Sequence, residues 1–206
     1  MARLPNVTTM APPTVKASTS ERLTRALDSL RLAVQPAQQA ALLEYLSQLL
    51  RWNKTYNLTA IRDPDQALVQ HIFDSLSLVP PMSRALALHP SEAPSVVDVG
   101  SGGGLPGVIL AIMLPHVKVT CVDAVEKKAM FVRQMAGVLA VPNLSAKHAR
   151  IETIEPFQSS IVTSRAFASL QDFAELSGQH VREGGYLLAM KGREPIEELT
   201  ALQAHT

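Results

Sequence analysis

The chain has 206 residues, 47% of them hydrophobic and 18% charged, which is enough apolar material for one packed core with an appendage. A formal net charge of +1 neither demands nor forbids a polyanionic partner, so local clustering has to decide that question. One cysteine, Cys121, rules out an intrachain disulfide framework and a thiolate metal site, and no run of eighteen apolar residues points to a membrane span.

Residues 1–20, MARLPNVTTMAPPTVKASTS, mix Pro, Thr, Ser and Ala without the apolar stretch of an export signal, and read as a disordered tail. A cytoplasmic, reducing setting follows, in which the sequons at Asn6 and Asn57 are chance matches. Residues 21–82 read as a helical region. ERLTRALDSLRLAV and PAQQAALLEYLSQLLRWN place apolar residues three and four apart, the second opening on Pro36 in the favoured first helical position. After the polar loop KTYNLTAIR comes DPDQALVQHIFDSLSLV, where Asp63 can cap, Pro64 starts the helix and Gln66 completes a capping-box pattern. Pro80 and Pro81 are expected to end this helix, leaving a loop over Ser83 to Pro94.

From Ser95 to the end the period changes, and residues 95–206 read as a second unit. SVVDVG, VKVTCVDA, LSAKHAR, SSIVTSR and GGYLLAMKG are short strands, separated mostly by the helical stretches GVILAIML, EKKAMFVRQMAGVL and LQDFAELSGQHV. Strands alternating with helices predict an α/β, Rossmann-like fold, its parallel sheet covered on both faces, with ligands beyond the carboxyl ends of the strands.

At that address lies VVDVGSGGGLPGV, and three readings of its glycines compete. A triphosphate loop needs a lysine after the glycines, and none follows. A dinucleotide loop is formally matched by Gly102 to Gly107, with Asp123 about twenty residues on. However, Asp98 sits two positions before Gly100, and a carboxylate there repels pyrophosphate while it favours the sulfonium and ammonium of S-adenosylmethionine. Gly100, Gly102 and Gly104 would let the backbone approach that cofactor closely. Asp123, ending the second strand, can accept hydrogen bonds from both ribose hydroxyls of either cofactor, so it does not discriminate. Asp98 read without a ligand is a side chain that organises its own loop.

RWNKTYNLTAIRDP followed by HIFDSL, then VVDVGSGGGLPGV, SRAFASL and LLAMKG, together make the chain resemble the bacterial ribosomal RNA small-subunit methyltransferase G family, also called glucose-inhibited division protein B. The resemblance covers roughly Leu42 to Leu199. It implies a class I S-adenosylmethionine-dependent methyltransferase fold with an N-terminal helical extension, and methyl transfer to N7 of a guanine in 16S rRNA or the small ribosomal subunit by a monomer, with no metal and no membrane. Carried over by position, it puts Gly100 and Leu105 against the cofactor, Ile151 and Glu152 around the adenine, and Arg165 at the mouth shared by cofactor and substrate, where it is the residue expected to act in catalysis. Family members usually continue past the AMKG strand into two further strands of a seven-stranded sheet, whereas this chain stops at Thr206. Five strands are therefore expected, with an exposed edge that favours self-association or poor solubility, or else an incomplete gene product.

Guanine N7 has an in-plane lone pair and no proton to lose, so no general base is needed, and alignment is the main task. His71 and Asp74, three apart, read first as a helix-surface hydrogen bond and second as the border of a guanine pocket. For Arg165 the plain alternative is a structural ion pair with Asp98 or Glu152. Cations cluster in Arg51 to Arg62, with Trp52 and Tyr56 interleaved, and again at Lys127, Lys128 and Arg133, at Lys147, His148 and Arg150, and at Lys191 and Arg193. Such clusters suit RNA phosphate contact and base stacking, though each alone also fits a solvated face. Two other functions stay open: an NAD-dependent oxidoreductase, and a non-catalytic RNA-binding protein with a vestigial cofactor pocket.

Overall fold

The computed structural model describes residues 18–165, 167 and 169–203; most of the tail expected over residues 1–20 lies outside them. Helix α1 (Thr19–Ser29) starts where the Ser18 hydroxyl accepts from the Glu21 N–H and the Glu21 carboxylate accepts in return from the Ser18 N–H. Helix α2 (Pro36–Tyr56) opens on the proline and ends at Asn57 in the left-handed conformation, the usual way to stop a helix without glycine. Its buried Leu42, Tyr45, Leu46, Leu49 and Asn53 repeat every three or four residues and form one inward stripe.

The next helical run is not uniform. Asp63 caps α3 (Pro64–Ala67) as expected, but Leu68–Phe73 widens into a π-turn before α4 (Asp74–Ser77). The two prolines do not end the structure there. They occupy the first turn of a new helix, α5 (Val79–Leu88), because a missing N–H costs nothing at a helix start, so much of the expected loop is helical.

Five strands follow: β1 (Ser95–Val99), β2 (Lys118–Asp123), β3 (Leu144–His148), β4 (Ser159–Ser164) and β5 (Val181–Ala189). They pair in parallel in the order β3-β2-β1-β4-β5, so the chain order reverses between β1 and β4. The parallel α/β fold read from the sequence is present, and at β5 the described sheet ends on a strand none of whose residues is fully buried.

Alternate residues of β1 face opposite cores. Val97 and Val99 pack with Val122, Ile151, Val162 and Phe173 on one face. Val96 belongs to the larger cluster on the other, which runs without a break from Leu23 and Leu27 of α1 through α2 into α6 (Gly107–Met113). Every residue of α6 is buried, because the sheet covers one side and the N-terminal helices cover the other. Helices α7 (Glu126–Val138), α8 (Leu170–Ser177) and α9 (Ile196–Gln203) complete the layers.

Candidate active site

The carboxyl ends of the parallel strands and the first residues after them form one edge of the molecule, and the turn between β1 and α6 sits at its centre. Gly104 has φ of +91°, and a side chain on it would approach Val132 Cγ2 to within 2.9 Å. Gly107 opens α6 so close to the sheet that a Cβ there would lie 2.8 Å from Asp98 Oδ2. Gly107 is thus pressed onto β1 and β2, and Gly104 against α6 and α7, which carries Val132.

Two acids beneath the turn hold its amides. Asp98 Oδ2 accepts from the Gly107 N–H at 2.7 Å, which fixes the start of α6. Its other oxygen, Oδ1, is buried without a hydrogen-bond partner among the described residues. Burial raises this carboxyl to about 7, against the opposing pull of the Gly107 amide and the Arg165 charge. Asp98 thus carries the loop-organising role considered for it, two residues before Gly100, which lines the crevice. Asp123 Oδ2 accepts from the Gly102 N–H at 2.8 Å and Oδ1 from the Val125 N–H at 2.8 Å, so this carboxylate ties the turn to β2 and to the approach of α7.

The crevice over the turn has a volume of about 220 Å³. Gly100, Leu105 and Arg165, three of the residues singled out in the sequence, line it together, with Leu49, Leu58 and Thr59 of the helical region closing the far side. Asp123 reaches it through the Gly102 amide. Ile151 and Glu152 are outside that lining and begin the short 3₁₀ turn after β3. Because Asp123 pairs in register with His148, these two residues stand one strand further along the same edge. The carboxyl ends of β3, β2, β1 and β4 therefore present Ile151 and Glu152, Asp123, Gly100 and Arg165 in spatial order. His180 Nε2 lies 2.9 Å from the Ile151 carbonyl and the His180 Nδ1 accepts from the Phe157 N–H, so a buried, neutral imidazole steadies that end; burial lowers its pKa.

Arg165 is held by partners other than those of its ion-pair alternative. Its Nη1 donates to the Gln70 carbonyl at 2.9 Å and to Asp74 Oδ2 at 3.3 Å, rather than to Asp98 or Glu152. Both partners come from the π-turn and its exit, so that irregularity serves the site. The same widening separates His71 from Asp74: the imidazole turns inward, 2.9 Å from Thr59 Oγ1, while the carboxylate faces out to Arg165. A surface hydrogen bond between the two is not what the structure contains. Burial first, and the Arg165 charge second, lower the His71 pKa, so the ring is neutral near pH 7.

Sequence reading missed Tyr45. Its hydroxyl donates to the Gly103 carbonyl at 2.7 Å, and Leu49 Cδ1 packs where a Gly103 side chain would go, so α2 braces the turn from behind. Burial pushes the phenol well above its ordinary range, which keeps it a neutral donor. Tyr45→Phe removes that donor and leaves a buried carbonyl unpaired, so we expect a loss of about 1–3 kcal/mol in unfolding free energy. Urea denaturation of the two proteins measures it, and coincident curves would show that the bond adds no strength.

Residues 38–206 match the family described as rRNA small subunit methyltransferase G. Over 196 residues the chain is 61% identical to "Ribosomal RNA small subunit methyltransferase G" of Bordetella pertussis, an alignment that takes in 95% of this chain and 85% of the relative. It is 50% identical over 167 residues to the protein of that name from Leptothrix cholodnii, covering 81% and 75% respectively. Among solved structures, the ribosomal protein L11 methylase of Lactobacillus delbrueckii subsp. bulgaricus superposes with a TM-score of 0.47 at 14% identity, covering 62% of this chain and 66% of that one.

Proposed function

The chain belongs to the rRNA small subunit methyltransferase G family, and within it we propose that the protein transfers a methyl group from S-adenosylmethionine to N7 of a guanine in 16S rRNA. The observation that carries this reading is the pair of acids held against the glycine turn. Two acids, Asp98 and Asp123, lie against a loop that no lysine follows, and Asp98 Oδ1 has no hydrogen-bond partner among the described residues. Asp123 serves either cofactor, but an acid at Asp98 suits a cation and opposes a pyrophosphate, so it favours a sulfonium donor over NAD.

S-adenosylmethionine, when bound, supplies a methyl carbon made electrophilic by its positive sulfur. What remains is the work of the chain. Gly100 and Leu105 support the cofactor from below. Asp123 keeps lone pairs beyond its two amide contacts for ribose hydroxyls. Ile151 and Glu152 are proposed to flank the adenine and Arg165 to stand where the guanine enters, a reading supported by their separation along the strand order.

No residue has to remove a proton, since N7 carries none. Orientation is the main contribution, worth up to roughly 7–11 kcal/mol when reacting atoms are held at near-attack distance. The protein is proposed to work as a monomer in the cytoplasm with its ribosomal substrate. No described helix is long and apolar enough to cross a membrane. Mass mapping of small-subunit rRNA from cells with and without the protein tests reaction, substrate and position together. One guanine should lose its N7 methyl in the deletion strain and regain it on complementation. Identical maps would defeat the proposal.

A further inference from the structure

A second concavity, of about 450 Å³, lies on the other side of α2, and Arg51, Lys54 and Arg62 converge on it around Leu50 and Asn53. All three cations are exposed, and among the described residues none forms an ion pair with a carboxylate. The acids beside Arg62 in sequence are engaged elsewhere: Asp63 accepts from the Gln66 N–H as the cap of α3, and Asp65 pairs with Arg22. Arg62 itself is aimed, its Nη2 donating to Asn57 Oδ1 at 2.9 Å.

The groove is also firm. Asn53, almost wholly buried, donates to the Ile61 carbonyl at 3.1 Å and accepts from the Thr59 N–H at 2.9 Å, which pins the loop after α2 against the helix. That wall has two faces. Leu49, Leu58 and Thr59 line the cofactor crevice, while Leu50 and Arg62 line the groove. Groove and crevice therefore share α2 and the loop after it as a common wall.

No aromatic side chain lines the groove. Trp52 packs on Phe131, with ring centroids 5.3 Å apart, and Tyr56 stacks on Trp52 at 5.0 Å, so the interleaved aromatics serve the join between α2 and α7. Exposed cations with no aromatic platform beside them lack the means to stack bases, and the commonest partners of such cations in nucleic acid are backbone phosphates. We infer that Arg51, Lys54 and Arg62 bind backbone phosphates of the RNA strand next to the guanine that enters the crevice. Here the inference rests on the rRNA reading above.

The test compares the wild type, a triple glutamine variant and a triple glutamate variant, using protein-free small-subunit rRNA at several salt concentrations. Binding by the glutamate variant should weaken at least tenfold, and in the glutamine variant the slope of log K against log salt should shrink by about two to three, close to one for each phosphate no longer neutralised. Affinity for S-adenosylmethionine and the thermal midpoint should stay at wild-type values, which separates the effect from misfolding. Lys118→Glu, at the opposite, amino end of the sheet, controls for charge alone. Unchanged slopes in the triple variants overturn the inference, as does an equal loss from Lys118→Glu and Lys54→Glu. Weakened binding to whole subunits with undiminished binding to free rRNA would assign the groove to a ribosomal protein instead, and equally overturn it. A wild type that takes up S-adenosylmethionine but binds no RNA would remove the rRNA reading itself.

Discussion

Arg165→Ala is expected to slow methyl transfer on the order of 100-fold while leaving the denaturation midpoint close to wild type. Both halves follow from where the side chain sits. Its ion pair with Asp74 is solvated on both sides, with side-chain exposures of 28% and 47%, and such pairs add roughly 0–1 kcal/mol. The contact to the Gln70 carbonyl lies at the same rim, so its removal lets water in rather than stranding a buried group. The charge, in contrast, has no substitute at the crevice. It opposes the burial cost of Asp98 and helps keep His71 neutral, and it is the cation that lines the cavity above the glycine turn. Removing one preorganised donor from an active site typically costs a factor of about 100 to 1,000 in kcat. Arg165→Lys should recover only part of that, since an ammonium keeps the charge but loses the planar fork. Single-turnover rates at saturating cofactor make the measurement. A variant with wild-type turnover would reduce Arg165 to a strut between β4 and the π-turn.

Much of this is legible in the chain itself, and the exceptions share a cause. The five strands are visible because runs such as SVVDV and KVTCVD combine β-branched residues with sharp glycine or acidic ends, a pattern local enough to survive any tertiary context. Gly100, Leu105 and Arg165 stand out in the sequence and meet in one crevice. What stays hidden depends on contacts between distant segments. Tyr45 has the spacing of a core residue, and nothing local says that its hydroxyl meets a carbonyl 58 residues away. The π-turn over Leu68–Phe73 has the composition of an ordinary helix, so its consequence, His71 inward and Asp74 outward, cannot be read from a three-residue spacing. Pro80 and Pro81 look like a stop because proline breaks helices from within, yet at a first turn the same residue is a start. In Arg51 to Arg62 the charge run is evident, but only packing separates its cations, which face the groove, from Trp52, which faces Phe131.

Asp98 supplies the other large effect, and it is an effect of pH on stability. In the folded protein its carboxyl is raised from 3.8 to about 7 by burial, so between those values the native state holds a proton that the unfolded chain has released. Stability from this group is therefore fully present below about pH 4, falls as pH rises, and is gone above about 7, a swing on the order of 4 kcal/mol at most. Asp98→Asn should flatten that slope. The amide oxygen can still accept from the Gly107 N–H, and no charge has to be buried, so relative to wild type the variant gains stability from about pH 4 to about pH 7 and levels off above it. Part of the gain is offset because the new N–H groups inherit the unpartnered surroundings of Oδ1. The reverse is expected for cofactor affinity. An ionised Asp98 is costly in the empty protein and favourable beneath a sulfonium, so calorimetry should find S-adenosylmethionine bound more weakly by the variant, with the deficit widening as pH rises through 7. Greater stability paired with weaker binding would identify the buried charge as a strain kept for the ligand. If urea curves for both proteins keep the same pH dependence, Asp98 is not ionising in that range, and the electrostatic argument for a cationic donor loses its main support.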